Sequence, residues 1–208
     1  MPRIRAGNIA EHKALTRAAI LDAAVDALAD RDFGAVSLGV VADYAGLPRS
    51  TIYDYFASRE ALVAALIEER VPPLISDWMA LLGGSTPVER LESFFVATYR
   101  MAENHRKLAS ALLGAGRRIP REMHDEYVPI VFTITQQIRA MIIDGIASGD
   151  FVSGDVDAMS EALTDLLAGG IDDIVGRERP ILDVDVVIAT RLMLLRRGVE
   201  VSAGAPQP

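Results

Sequence analysis

Residues 46–62 concentrate the side chains with the most chemistry to offer. They read Gly46-Leu47-Pro48-Arg49-Ser50-Thr51-Ile52-Tyr53-Asp54-Tyr55-Phe56-Ala57-Ser58-Arg59-Glu60-Ala61-Leu62. Ile52 and Phe56 stand one helical turn apart and share a face, so they can anchor a short helix to a core. Arg49, Ser50, Thr51, Tyr53, Asp54 and Tyr55 occupy the remaining surface. A helix with so little apolar area is marginal alone and must be carried by its neighbours. Its outward face is then free for another purpose. Hydroxyls can bond phosphate oxygens, and an arginine can form a bidentate pair with a guanine edge.

The elements that must position these groups are legible on either side. Ser37 is a good N-cap; Val40, Val41, Ala42 and Ala45 supply an apolar stripe; Gly46 suits a helix C-terminus. Two short helices joined by a glycine turn describe a helix-turn-helix, whose second helix enters the major groove of DNA. In that arrangement Arg49, Ser50 and Tyr53 approach base edges. Thr51 and Tyr55 contact phosphate, Arg59 adds charge at the next helix start, and Ser37 reaches the backbone across the groove.

In residues 16–66 the pattern resembles the DNA-binding domain of tetracycline-repressor-type (TetR-family) regulators. The matching features are Ile20-Leu21-Asp22-Ala23-Ala24 in a first helix, Phe33-Gly34 at a turn and the helix capped by Ser37. They continue through Ala45-Gly46-Leu47, Thr51-Ile52-Tyr53-x-Tyr55-Phe56, and Ser58-Arg59-Glu60-Ala61-Leu62 opening a fourth helix. Three residues depart from the family pattern. Pro48 replaces a frequent serine, Gly39 stands where a polar contact residue is common, and Asp54 sets a carboxylate in the recognition helix. That carboxylate repels phosphate unless it accepts from a cytosine amino group or pairs with Arg49. The resemblance implies a homodimer on a double-stranded DNA operator and an unidentified small-molecule effector, but no particular base sequence.

Composition fits this reading only through its distribution. The 208 residues carry a net charge of −8 and no cysteine, which excludes disulfides, thiolate zinc sites and cysteine nucleophiles. Residues 1–60 hold seven Lys/Arg against eight Asp/Glu. Arg3, Arg5, Lys13 and Arg17, however, cluster before and early in the first helix, opposed there only by Glu11. Phosphate contact needs local positive potential rather than a positive molecule. No apolar run approaches the roughly 18 residues of a membrane span, and Met1–Ala10 lacks a signal-peptide core, so a cytoplasmic protein with no membrane association is expected.

Behind the motif the sequence is a succession of helix signals. The fourth helix runs from near Ser58 to Pro72-Pro73, which should end or kink it, and resumes through Trp78 to Gly83-Gly84. Thr86-Pro87-Val88-Glu89 is a capping box. A short helix from about His105 stops at Gly114-Ala115-Gly116, and a long one runs from near Pro120 to Gly149. Two more span Asp155 to about Gly176 and about Asp183 to Gly198. The expected fold is all-α with about nine helices. It comprises a three-helix DNA-binding domain at 1–57, a helical effector-binding and dimerisation domain at 58–200, and a disordered tail at 201–208.

The last helix is apolar nearly all round, as befits one buried on nearly all sides. Leu163, Leu167, Gly170 and Ile174 form a seam on the helix before it, with Ile188, Leu192 and Leu195 on the last. An ordinary buried hairpin accounts for this pattern; so does a four-helix interface between two subunits, which the family resemblance favours. Trp78, Phe95, Thr98, Tyr99, Tyr127, Thr135 and Arg139 are candidates to line an effector cavity, though aromatics at helical spacing commonly form core. The acidic composition leans toward an apolar or cationic effector.

An all-helical, cofactor-free enzyme and a helical protein-interaction module are the alternatives. The cluster Glu122-Met123-His124-Asp125-Glu126 looks metal-like, yet His124 has no acid or histidine three or four residues away on either side. It reads as a solvated helix start. With no phosphate loop or nucleophile elbow, no catalytic residue, metal ligand or cofactor is assigned.

Overall fold

The computed structural model describes the backbone of residues 2–31, 33–116, 124–176 and 182–199. The tail at 201–208 and the helix start near Pro120 lie outside them. Among the described residues there are nine α-helices: α1 (Pro2–Asp30), α2 (Leu38–Ala45), α3 (Arg49–Tyr55), α4 (Arg59–Ala80), α5 (Pro87–Asn104), α6 (Arg106–Gly116), α7 (His124–Ser148), α8 (Val156–Val175) and α9 (Val184–Val199). The chain divides into two compact units, 1–73 with 110–126, and 74–109 with 127–208.

In the first unit, α1 supplies the platform. Ile20, Leu21, Ala24, Ala27 and Leu28 recur at helical spacing and are buried. Val41 and Ala42 of α2 and Ile52 of α3 join that core, and α1 packs on α2. Ser37 caps α2 by accepting the Val40 N–H at 3.3 Å. Gly46, at φ +64°, ends it, and the Leu47 N–H returns to the Ala42 carbonyl at 3.1 Å. A left-handed residue at a helix end is the place glycine serves best. Two arginines tie α4 to α1. Arg17 reaches Glu69 at 2.5 Å, and Arg70 reaches Asp22 at 2.7 Å and the Ala18 carbonyl at 3.1 Å.

Of the two outcomes expected at Pro72-Pro73, an end or a kink with the helix resuming beyond, the end does not occur. The helix runs on to Ala80 with both prolines inside it. A proline ring has a helix-compatible φ; what it removes is one N–H and hence one bond to the carbonyl four residues earlier. Buried Val71 and Leu74 flank the pair and anchor the chain on both sides of it.

In the second unit, α5 lies against α8 and α9, which also pack on each other. Thr86 and Glu89 form the expected reciprocal capping box at the start of α5. Tyr99 of α5 lies so close to Gly170 of α8 that a Cβ there would meet the ring at 2.6 Å. Asp173 of α8 and Arg191 of α9 form a largely buried ion pair at 2.6 Å. Arg106 adds a bond to the Ile174 carbonyl at 2.8 Å.

The seam expected to face a second subunit packs largely within the single chain. Leu163, Leu167, Gly170, Ile174 and Leu195 are buried within the chain itself, and Ile188 and Leu192 are half-buried. The outward stripe of α9 is instead Val186, Met193 and Leu194, exposed by 57%, 47% and 45%. A helix apolar all round has two apolar faces, and the sequence pattern does not say which faces its own core.

Candidate nucleic-acid interface

The site is assembled on α3, a helix of only seven residues. Ile52 and Phe56 point inward and are buried, as their spacing requires. The Arg17 guanidinium covers the Phe56 ring at 4.7 Å, so the anchor of α3 is clamped from α1. With its inner face fixed, the outer face of α3 is surrendered to solvent. Tyr53 is 60% exposed, Arg49, Ser50 and Asp54 are exposed, and Thr51 and Tyr55 are half-buried at the edges.

The supporting residues fall around it. Ser37 is exposed, and its hydroxyl oxygen is engaged by Val40 N–H, which leaves the hydroxyl proton to be donated elsewhere. Ser58 caps α4 in the same manner, accepting the Ala61 N–H at 3.2 Å. Arg59 lies 3.4 Å from Glu60. The Glu60 carboxyl is held below its usual range by its own backbone N–H, then by the Ser58 hydroxyl, with Arg59 assisting. The charge of Arg59 is therefore shared with a neighbouring anion. Asp54 has no ion pair with Arg49 or any other described residue. The two are five positions apart and so lie on different faces.

One neighbour escaped the sequence reading. The Arg49 side chain folds back over Gly39 of α2, its guanidinium 3.2 Å from the place a Cβ would take, closer than ordinary van der Waals contact. Spacing within α3 gives no sign of this, because the contact is between helices.

The expected effector residues separate into two groups. Trp78 donates its indole N–H to the Thr98 hydroxyl at 3.0 Å and meets Phe94 edge-on at 5.1 Å. Phe95 and Tyr99 stack edge-to-face at 6.0 Å, and the Tyr99 hydroxyl donates to the Leu166 carbonyl at 3.3 Å. Thr98, Phe95 and Tyr99 are buried. Thr135 and Arg139 lie elsewhere, on a polar groove of about 340 Å³ with Asp157, Glu161 and Asp165 of α8; Arg139 pairs with Asp157 at 2.9 Å. The side chain of Tyr127 lies outside the described residues. Of the candidates, Trp78, Phe95, Thr98 and Tyr99 thus pack around α5, while Thr135 and Arg139 sit on an open groove.

A short, hydroxyl-rich helix held behind a capped helix and a glycine turn defines a helix-turn-helix DNA-binding protein. Residues 20–66 match the family described as "Bacterial regulatory proteins, tetR family". The segment that carries the helix-turn-helix thus matches a tetR-family DNA-binding domain, and the chain is a DNA-binding transcriptional regulator. The HTH-type transcriptional repressor KstR2 of Mycobacterium tuberculosis is 25% identical over 172 residues, 82% of this chain and 73% of that protein. A tetR-family regulatory protein from Rhodococcus RHA1 superposes with a TM-score of 0.74 at 21% identity, over 90% of this chain and 98% of that one. FadR of Bacillus subtilis, solved with stearoyl-CoA, gives 0.69 at 21% identity over 88% and 98%. At such identities the structural likeness speaks for the fold. No helix among the described residues is long and apolar enough to cross a membrane, and no described group of His, Cys, Asp or Glu forms a metal cluster.

Proposed function

We propose that the protein is a repressor that binds a palindromic operator as a homodimer and leaves it when a small molecule binds. The carrying observation is the presentation of α3, whose polar face stays exposed while Ile52 and Phe56 hold it from behind. In this reading Arg49, Ser50 and Tyr53 approach base edges. Thr51, Tyr55 and the free proton of Ser37 serve phosphates, and Arg59 contributes screened charge. The DNA-binding function is assigned to residues 1–57, and effector binding and dimerisation to 58–200.

Dimerisation through the outward stripe of α9 is supported by the exposure of Val186, Met193 and Leu194, since contiguous exposed apolar side chains on a helix need a cover. An effector site among residues 74–175 is supported by the fold's use in FadR, whose structure holds stearoyl-CoA. A regulator, rather than an enzyme, is the reading these parts serve.

The test is selection of double-stranded DNA from a random pool, followed by salt titration on the enriched site. A palindromic sequence and a steep salt dependence are expected. Arg59→Ala is expected to lower the salt slope by about one phosphate contact or less, because Glu60 shares its charge; Arg49→Ala is expected to relax preference at one base position. Enrichment of no sequence would sink the proposal.

A further inference from the structure

We propose that Gly39 is a specificity determinant that acts through Arg49, because its missing side chain lets the Arg49 guanidinium lie across the first turn of α2. This inference rests on the DNA-binding role given above to α3. A Cβ built on Gly39 would stand 3.2 Å from Arg49 Cζ, 3.2 Å from Nε and 3.5 Å from Nη2. Near-equal distances to three atoms of one plane mean that the flat face of the guanidinium, not its edge, covers Gly39. All five N–H donors of arginine lie in that plane. A guanidinium resting on its face therefore keeps its donor edge open.

Arg49 makes no hydrogen bond or ion pair with any described residue, so its donors are unspent. Arg49 is exposed and opens α3, while Gly39 lies two residues after the Ser37 cap. The contact thus joins the two helices of the motif at the residue placed to read a base. An exposed arginine on a bare helix samples many rotamers. Here the surface of α2 restricts them and aims the fork, the arrangement that favours bidentate pairing with O6 and N7 of guanine. A side chain at position 39 would occupy the resting place of the guanidinium and turn the fork to another direction. Alanine demands a shift of a few tenths of an ångström; a β-branched residue demands that Arg49 leave α2.

The experiment compares wild type, Gly39→Ala, Gly39→Val, Arg49→Ala and the double variant Gly39→Val/Arg49→Ala by selection from a random double-stranded DNA pool. Circular dichroism melting of each variant accompanies it. Alanine in place of an α-helical glycine favours the helix, so Gly39→Ala keeps the fold in hand if valine disturbs it. Wild type is expected to enrich guanine at one position in each half-site. Arg49→Ala and Gly39→Val should each lose about tenfold of that preference at the same position, within the range of a bidentate pair. Gly39→Ala should lose less, and the double variant no more than Arg49→Ala alone. Preference unchanged in both Gly39 variants, or altered at a different position and additively with Arg49→Ala, would overturn the inference while leaving DNA binding intact. Wild type that enriches no sequence would overturn the DNA reading and this inference with it.

Discussion

Tyr99 is held neutral by its surroundings, and the consequence is measurable. Burial is the main influence pushing its pKa well above the ordinary value near ~10; Arg191 pulls it back, and Asp173 adds to the rise. Folded protein therefore keeps the phenolic proton where the unfolded chain releases it. The contribution of Tyr99 to stability is full below pH ~10 and is lost as pH climbs from there toward the folded value. Tyr99→Phe deletes both this titration and the 3.3 Å bond to Leu166. The expected loss at pH 8 is about 0.5–1.5 kcal/mol, and it should shrink as pH passes ~10. Urea unfolding from pH 8 to 11 reads the difference; a constant gap would mean that the hydroxyl is not effectively buried. At this scale the sequence declares residue types but not partners. Ile52 and Phe56 were readable as anchors because both lie on one helix. Arg49 over Gly39 and Tyr99 against Gly170 were not, because each joins residues of different helices.

Helix pairs carry two kinds of apolar face, and α8 and α9 separate them. Leu163, Leu167, Ile174 and Leu195 face the chain's own core, while Val186, Met193 and Leu194 face outward. The helices and their ends were legible from Asp155, Gly176 and Asp183. Their orientation was not, since it depends on α5 arriving from about sixty residues earlier in the chain. Met193→Asp combined with Leu194→Asp should give a monomer that keeps its helix content, because both positions are solvated in the single chain. Leu163→Asp should instead unfold the second unit, since an unpaired carboxylate in a core commonly costs several kcal/mol (on the order of 3–5). Sedimentation with circular dichroism distinguishes these outcomes. A dimer that survives the Met193/Leu194 double substitution would remove α9 from the interface. The prolines of α4 carry the same lesson in another form. Pro72-Pro73 reads locally as an end or a kink, yet the helix runs through both, with buried Val71 and Leu74 on either side.

At the scale of the molecule, a net charge of −8 makes DNA affinity depend on a small, favourably placed surface. Such binding is readily switched. Reducing operator affinity a hundredfold requires an effector to prefer the non-binding state by about 2.7 kcal/mol. Two recognition helices must sit about 34–36 Å apart to read half-sites one DNA turn apart, so a small change of spacing in the proposed dimer suffices. α4 is the element through which this coupling is proposed to run. It begins at Arg59, beside the DNA-binding helix, and ends two residues after Trp78. Pro72 and Pro73 deprive the carbonyls of Glu68 and Glu69 of their helical partners, which leaves the middle of α4 easier to bend. Replacing both with alanine restores two backbone bonds. The variant should melt at a higher temperature, bind operator at least as well as wild type, and release it less completely at saturating effector. A compound screen by thermal shift would supply the effector, and operator anisotropy would read the release. Full release from the Pro72→Ala/Pro73→Ala protein would move the coupling away from α4, while ligands that stabilise the wild type yet leave operator affinity unchanged would remove the coupling altogether.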